Sequence, residues 1–269
     1  MSNILIKRLF KIKRSSKKSM ENSFFKAGSL NQIKNPRFDV SQLNCQTKGL
    51  SFSISGALML FSLEPQILVL LAFSLVFALS FHEFAHAYVA DRFGDPTARM
   101  AGRLTVNPMV HLDVFGSLMV LVAGFGYAKP VPVNPRNFRH PRADAFVAAA
   151  GPLMNLILGI VGGGLIHLFH FTGWLYWESF PLMKFLTLFI LINFNLCLFN
   201  LIPLGPLDGS YVLSGFLRRE LKWKYEEWNA RFGYQALLGL VLLSVVIPGF
   251  SFFSWISQIS RGMLRFVIG

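Results

Sequence analysis

The sequence predicts an all-α polytopic membrane protein of about five to six transmembrane helices, with one short membrane-associated β-like or re-entrant segment. Three observations carry that expectation. First, 53% of the 269 residues are hydrophobic and only 14% charged, whereas soluble domains carry about a quarter charged residues. Second, four runs exceed the roughly 20 residues that a helix needs to cross a bilayer core. They are Ile67 to Ala90, Ala145 to Trp177, Phe185 to Leu207 and Phe232 to Ser260, and the last three contain no Asp, Glu, Lys or Arg. Third, basic residues are concentrated in the segments between these runs.

Residues 1–49 form a basic tail, expected to be disordered and cytoplasmic. Residues 1 to 50 hold eleven Lys or Arg against Glu21 and Asp39, so nine of the +13 formal charges lie there. No apolar stretch directly follows the basic residues, which excludes a secretory signal peptide. The composition fits a tail lying against anionic lipid and also resembles an organellar transit peptide. Charge is the sole argument for nucleic-acid binding, and no nucleic-acid partner is expected. Residues 50–269 then form the membrane-embedded domain, with its core at 66–213. Its first apolar run, Leu50 to Leu63, is short and closed by Glu64-Pro65, which suits a thin span or an interfacial helix.

The apolar piece Val114 to Ala128 has 15 residues and is interrupted by Gly116, Gly124 and Gly126. It is too short for a span and is read as re-entrant or strand-like, with Pro130 and Pro132 favouring extended chain at its exit. Cys45 and Cys197 fall in the polar tail and in an apolar run, so neither a disulfide nor a thiolate metal site is indicated.

Positive residues mark cytoplasmic loops. Arg92, Arg99 and Arg103 follow the first long run, Lys129, Arg136, Arg139 and Arg142 follow the glycine-interrupted piece, and Arg218, Arg219, Lys222, Lys224 and Arg231 follow the third. With all three loops inside, the run from Ile67 goes inward, the one from Ala145 outward and the one from Phe185 inward again. The last run is broken by Pro248-Gly249, and its end is open on either side.

Within the first long run stands His82-Glu83-Phe84-Ala85-His86. Ionisable groups are costly in hydrocarbon, which makes them a functional hypothesis by default. In H-E-x-x-H on a helix, His82 and His86 share one face and can share one zinc ion, with Glu83 beside them to take a proton from water. The alternative is a set of polar residues at a helix end reaching for the headgroups. A catalytic zinc takes three protein ligands and one open position. Candidates for the third are His111, His140, His167, His170, Cys197, Asp208 and the loop acids Asp91, Asp95 and Asp113. Orientation puts His167 and His170 at the far end of their run and His140 in a basic loop. Asp208 lies in Asn200-Leu-Ile-Pro203-Leu-Gly-Pro206-Leu207-Asp208-Gly209, where two prolines break the helix and Gly209 permits close approach. A capping Asp at a membrane boundary is the simpler alternative.

Together these segments resemble the site-2 protease family of intramembrane zinc metalloproteases. The H-E-x-x-H at His82 to His86 and an N-x-x-P-x-x-x-L-D-G at Asn200 to Gly209 both match. Between them, Gly151-Pro152-Leu153-Met154-Asn155 is similar to the family's central-helix G-P-x-x-N. Gly94-Asp95-Pro96-Thr97-Ala98, Gly102-Arg103-Leu104-Thr105-Val106-Asn107-Pro108 and His111 resemble the subgroup without a PDZ domain, for which residues 129–144 leave no room. The resemblance covers about Phe77 to Leu213.

It implies one Zn2+ per chain held by His82, His86 and Asp208, with Glu83 as general base. For Asn155 it implies a place near the metal, as a donor to the oxyanion or to substrate, while an Asn tying helices together is an equal alternative. His111 is open between a contact near the site and a structural role. The implied substrates are transmembrane segments of other proteins, cut in the bilayer near the cytoplasmic face, with Val114 to Ala128 presenting an edge for an unwound segment. The expected location is a bacterial inner membrane, with an organellar membrane as the alternative. A membrane metal-ion transporter or metal-binding protein is the competing class, but transporters usually show internal repeats, and none is visible.

Overall fold

The computed structural model describes residues 64–113, 128–172, 181–247 and 254–269. The tail 1–49, the run 50–63 and residues 114–127 of the expected re-entrant piece lie outside them.

Helix α1, Pro65–Arg92, begins on a proline, a position where a missing N–H costs nothing. The Glu64 carbonyl accepts from the amides of Ile67 and Leu68. Its buried residues are small or functional, namely Ser74, Ala78, Ser80, His82, Ala85, His86, Ala87 and Ala90. Small side chains on one face let neighbouring helices approach closely where lipid offers no hydrophobic drive to associate. Val69, Phe73 and Phe77 point outward and are exposed. The helix ends at Phe93 and turns at Gly94, where φ is +103°, a conformation that favours glycine. Two single-turn helices follow, α2 at Thr97–Met100 and α3 at Pro108–His111, the latter capped by the side chain of Asn107.

Helix α4, Ala143–Phe171, carries its buried stripe at Ala148, Gly151, Asn155, Gly159, Gly162 and Ile166, a spacing of three and four that keeps one face inward. The glycines admit large partners from α5, Pro181–Asn200: a Cβ on Gly159 would run into the ring of Phe194, and one on Gly162 into Ile190. Phe194 and Ile190 are fully buried. Helices α1, α4 and α5 are the three described helices long and apolar enough to cross a membrane.

The expected fourth span differs. After α6, Asp208–Phe216, come α7 at Arg219–Trp228, a π-helical turn at Asn229–Gly233, α8 at Tyr234–Val246 and α9 at Ser254–Ile268. The run Phe232 to Ser260 is therefore not one helix. Its first half stops where Ile247 turns extended (φ −94°, ψ 110°), as a residue preceding proline tends to do. Helix α9 packs back on the bundle, with the Val267 carbonyl accepting from His167 Nε2 at 2.8 Å and the Ser260 hydroxyl donating to Asn195 Oδ1 at 2.8 Å. The β structure among the described residues is one antiparallel bridge, Leu112 to Ala128, beside which the Lys129 amide donates to the His111 carbonyl at 2.8 Å.

Candidate metal centre

His82 and His86 stand one turn apart near the C-terminal end of α1, both buried. Asp208, the first residue of α6, reaches them from the other side: its Oδ2 lies 3.1 Å from His82 Nε2 and 3.4 Å from His86 Nε2, and the two nitrogens are 3.1 Å apart. One ligand atom from each residue fits within 4.8 Å of the others.

The second nitrogens decide what the first ones can be. His86 Nδ1 is 2.7 Å from the Val147 carbonyl, which can only accept, so in the neutral ring the proton is on Nδ1 and Nε2 is a bare lone pair. His82 Nδ1 is 2.6 Å from Asn155 Oδ1. That amide cannot be turned round. Its Nδ2 donates to the Ala78 carbonyl at 3.1 Å and to Asn193 Oδ1 at 2.9 Å, while Asn193 Nδ2 donates to the Phe189 carbonyl at 2.8 Å. Both ends of the chain rest on carbonyls, so Asn155 Oδ1 must accept, His82 Nδ1 must donate, and in the neutral ring His82 Nε2 is also a bare lone pair.

Two imidazole lone pairs and a carboxylate oxygen thus face one another in a buried place. Asp208 Oδ2 has no hydrogen-bond partner there. Buried polar atoms are otherwise satisfied, and a cation is the species that satisfies three acceptors at once. The donor set, two imidazole nitrogens and one carboxylate oxygen, suits a catalytic zinc with an open fourth position. Each ligand imidazole also hands its other N–H to a carbonyl or amide oxygen, the usual outer arrangement of metal-bound histidines.

Backbone approach makes the convergence sterically feasible. A Cβ on Gly151 of α4 would lie 2.6 Å from His82 Nε2 and closer still to His86 Nε2. A Cβ on Gly209 would strike the Leu201 and Ile202 backbone, so this glycine lets the start of α6 tuck under the end of α5. The intervening loop, with a cis Gly205–Pro206 peptide, is pinned by α7 and the π turn. Tyr225 donates its hydroxyl to the Pro203 carbonyl at 2.8 Å, and Asn229 Oδ1 accepts the Gly205 amide at 2.8 Å.

The remaining expected residues fall into three positions. Glu83 accepts, through Oε2, the main-chain N–H of Val131 at 3.0 Å. Asn155 is fully buried, with its oxygen on His82 and both described donor contacts on Ala78 and Asn193. His111 stands apart from the triad. Its Nε2 donates to the Thr105 carbonyl at 2.7 Å, and the ring is buried in the loop. Sequence reasoning did not single out Asn193, Val131, Tyr225 or Asn229, whose contributions depend on packing or main-chain contacts.

A sequence profile described as Peptidase family M50 matches residues 70–173 and 163–240. The chain is also 42% identical, over 197 residues, to YwhC of Bacillus subtilis, a protein described as a zinc metalloprotease, covering 72% of this chain and 86% of the relative. This chain belongs to peptidase family M50. The family match spans all of His82, Glu83, His86, Asn155 and Asp208. Rip2 of Mycolicibacterium smegmatis, also described as a zinc metalloprotease, is 30% identical over 149 residues, which cover 53% of this chain and 55% of that protein. MJ0611 of Methanocaldococcus jannaschii, with the same description, is 28% identical over 168 residues, or 62% of this chain and 73% of that one. No solved structure matches the chain.

Proposed function

We propose that this family M50 peptidase is an intramembrane zinc endopeptidase that cuts transmembrane segments of other membrane proteins. The observation that carries the reading is the convergence of His82 Nε2, His86 Nε2 and Asp208 Oδ2, three atoms that can all accept when both rings are neutral, beside helices apolar enough to cross a membrane. These residues would hold one zinc ion, which when bound lowers the pKa of water toward about 7 and polarises a carbonyl.

Glu83 is the general base. Its carboxylate takes a proton from the attacking water and returns it to the amine of the cleaved bond. Asn155 fixes the ring of His82 and its tautomer; a contact with an oxyanion would need a donor that already serves Ala78 or Asn193. The basic loops after α1, before α4 and after α6 support a multi-pass chain with the site toward the cytoplasm of a bacterial inner membrane. Its partners are then the lipid bilayer and single-span substrates.

The test is co-expression with candidate single-span substrates, comparing wild type with Glu83→Gln. The expected result is a cytoplasmic fragment from the wild type alone. Equal cleavage by both forms would sink the assignment of the base, and metal flux retained by the variant would move the chain to the transporter class.

A further inference from the structure

The loop between α1 and α4 contains two buried charges that the metal site does not use. Asp95 is 0% exposed and Arg103 6%. Charges so deep are stable only when hydrogen-bonded, and both bond to the same stretch of chain, residues 129–134, Arg103 through a terminal nitrogen. Arg103 donates from Nη2 to the carbonyls of Lys129 and Pro130, and from Nη1 to the Val110 carbonyl at 2.6 Å. At the other end, Asp95 Oδ2 accepts the Asn134 amide at 2.7 Å, while Oδ1 accepts Asn137 Nδ2 at 2.8 Å and the Thr97 hydroxyl. The His111 carbonyl, accepting the Lys129 amide at 2.8 Å, is a third grip on the stretch, after Arg103 and Asp95.

Midway between these grips, the Val131 N–H meets Glu83 Oε2 at 3.0 Å. Pro130 and Pro132 flank it. Neither has an N–H, and Pro132 confines Val131 to extended backbone, so the segment offers Glu83 one donor in one direction.

We propose that residues 129–134 are a strap that positions the general base, and that Asp95 and Arg103 are positioning residues holding its two ends. One carboxylate oxygen of Glu83 is fixed by the Val131 N–H, which leaves Oε1 as the oxygen to receive the proton. The Gly94 to His111 motif then serves the reaction without touching substrate: it builds the socket for the strap. The proposal rests on the reading of Glu83 as base.

The experiment uses full-length protein in bilayer nanodiscs with a cleavable single-span substrate. Val131→Pro deletes the donor in a backbone region open to proline, and Val131→Ala keeps the donor. The expected result is a fall in kcat of about tenfold or more for Val131→Pro, with KM, zinc content and melting temperature near wild type, and Val131→Ala near wild type throughout. A Val131→Pro enzyme with unchanged kcat, or one impaired through KM alone, overturns the strap. If Val131→Pro loses zinc or its fold, Asp95→Asn and Arg103→Lys each loosen one end instead. A lower kcat with zinc and KM retained in either supports the proposal, and unchanged kcat in both overturns it. Joint loss of zinc and fold in all three variants also overturns it, because the strap is then only a structural tie. An inactive Glu83→Gln beside a fully active Val131→Pro sinks the strap alone, whereas an active Glu83→Gln sinks the base itself.

Discussion

Asn155→Ala removes the acceptor of the His82 Nδ1–H bond at 2.6 Å and two donors, those to the Ala78 carbonyl and to Asn193 Oδ1. Loss of such an outer partner costs about 10–100-fold in metal affinity, or about 1.4–2.7 kcal/mol. The ring is then free to turn or to take the other tautomer, which would place a proton on the nitrogen that should face the metal. Each buried group left without a partner costs about 1–3 kcal/mol of stability in addition. Asn155→Asp separates the two effects. Its carboxylate still accepts from His82 but cannot donate, so it should keep most of the zinc affinity while melting earlier. Competition with a zinc chelator of known affinity, run beside thermal melting in detergent, reads both quantities. Zinc held by Asn155→Ala within about twofold of wild type, together with a depressed kcat, would refute this account and give the amide an oxyanion role instead.

Gly151→Ala puts a methyl group against Nε2 of both histidines, and zinc content at a fixed chelator concentration should fall by about tenfold or more. Gly164→Ala, on the same helix but facing open space, should leave zinc content unchanged, and equal zinc in both variants would count against the geometry. Burial alone would raise the pKa of Asp95, but donors from Thr97, Asn134 and Asn137 outweigh it and hold the carboxyl below its ordinary 3.8. A lowered folded-state pKa stabilises the fold above the unfolded value, and that contribution is lost as pH falls through the folded one. Wild type should therefore melt above Asp95→Asn at neutral pH, with the gap closing below about pH 3.8; a gap independent of pH would refute the argument.

The geometry of the candidate ligand pair was legible because it is local. One turn of helix brings His82 and His86 to the same side whatever surrounds them. Asp208 could be read from its motif, since two prolines and Gly209 announce a chain that leaves a helix and turns sharply. The Asn193–Asn155–His82 connection could not be read, because it depends on how α5 is rotated against α4, which the fit of Phe194 into Gly159 sets. Val131 contributes a main-chain N–H, and main-chain groups carry no residue signature; the flanking prolines were the signal available. Hydropathy counted Phe232 to Ser260 as long enough to span, while its Pro248-Gly249 break left the course of the second half open; the structure has two helices there, Tyr234–Val246 and Ser254–Ile268. Pro248 was visible, but where the second helix packs depends on contacts such as Val267 with His167.

The candidate ligands come from the first long helix and from the start of the short α6, two before α4 and one after α5. If the site lies in the membrane as proposed, the pair on α1 enters it during synthesis well ahead of Asp208, and until the later helices arrive it has neither its carboxylate nor the amide that orients His82. A stable hold on the ion thus begins only when the bundle is complete. Metal occupancy would then report finished assembly, and a chain truncated before Asp208 would lack both the third candidate ligand and hydrolytic power.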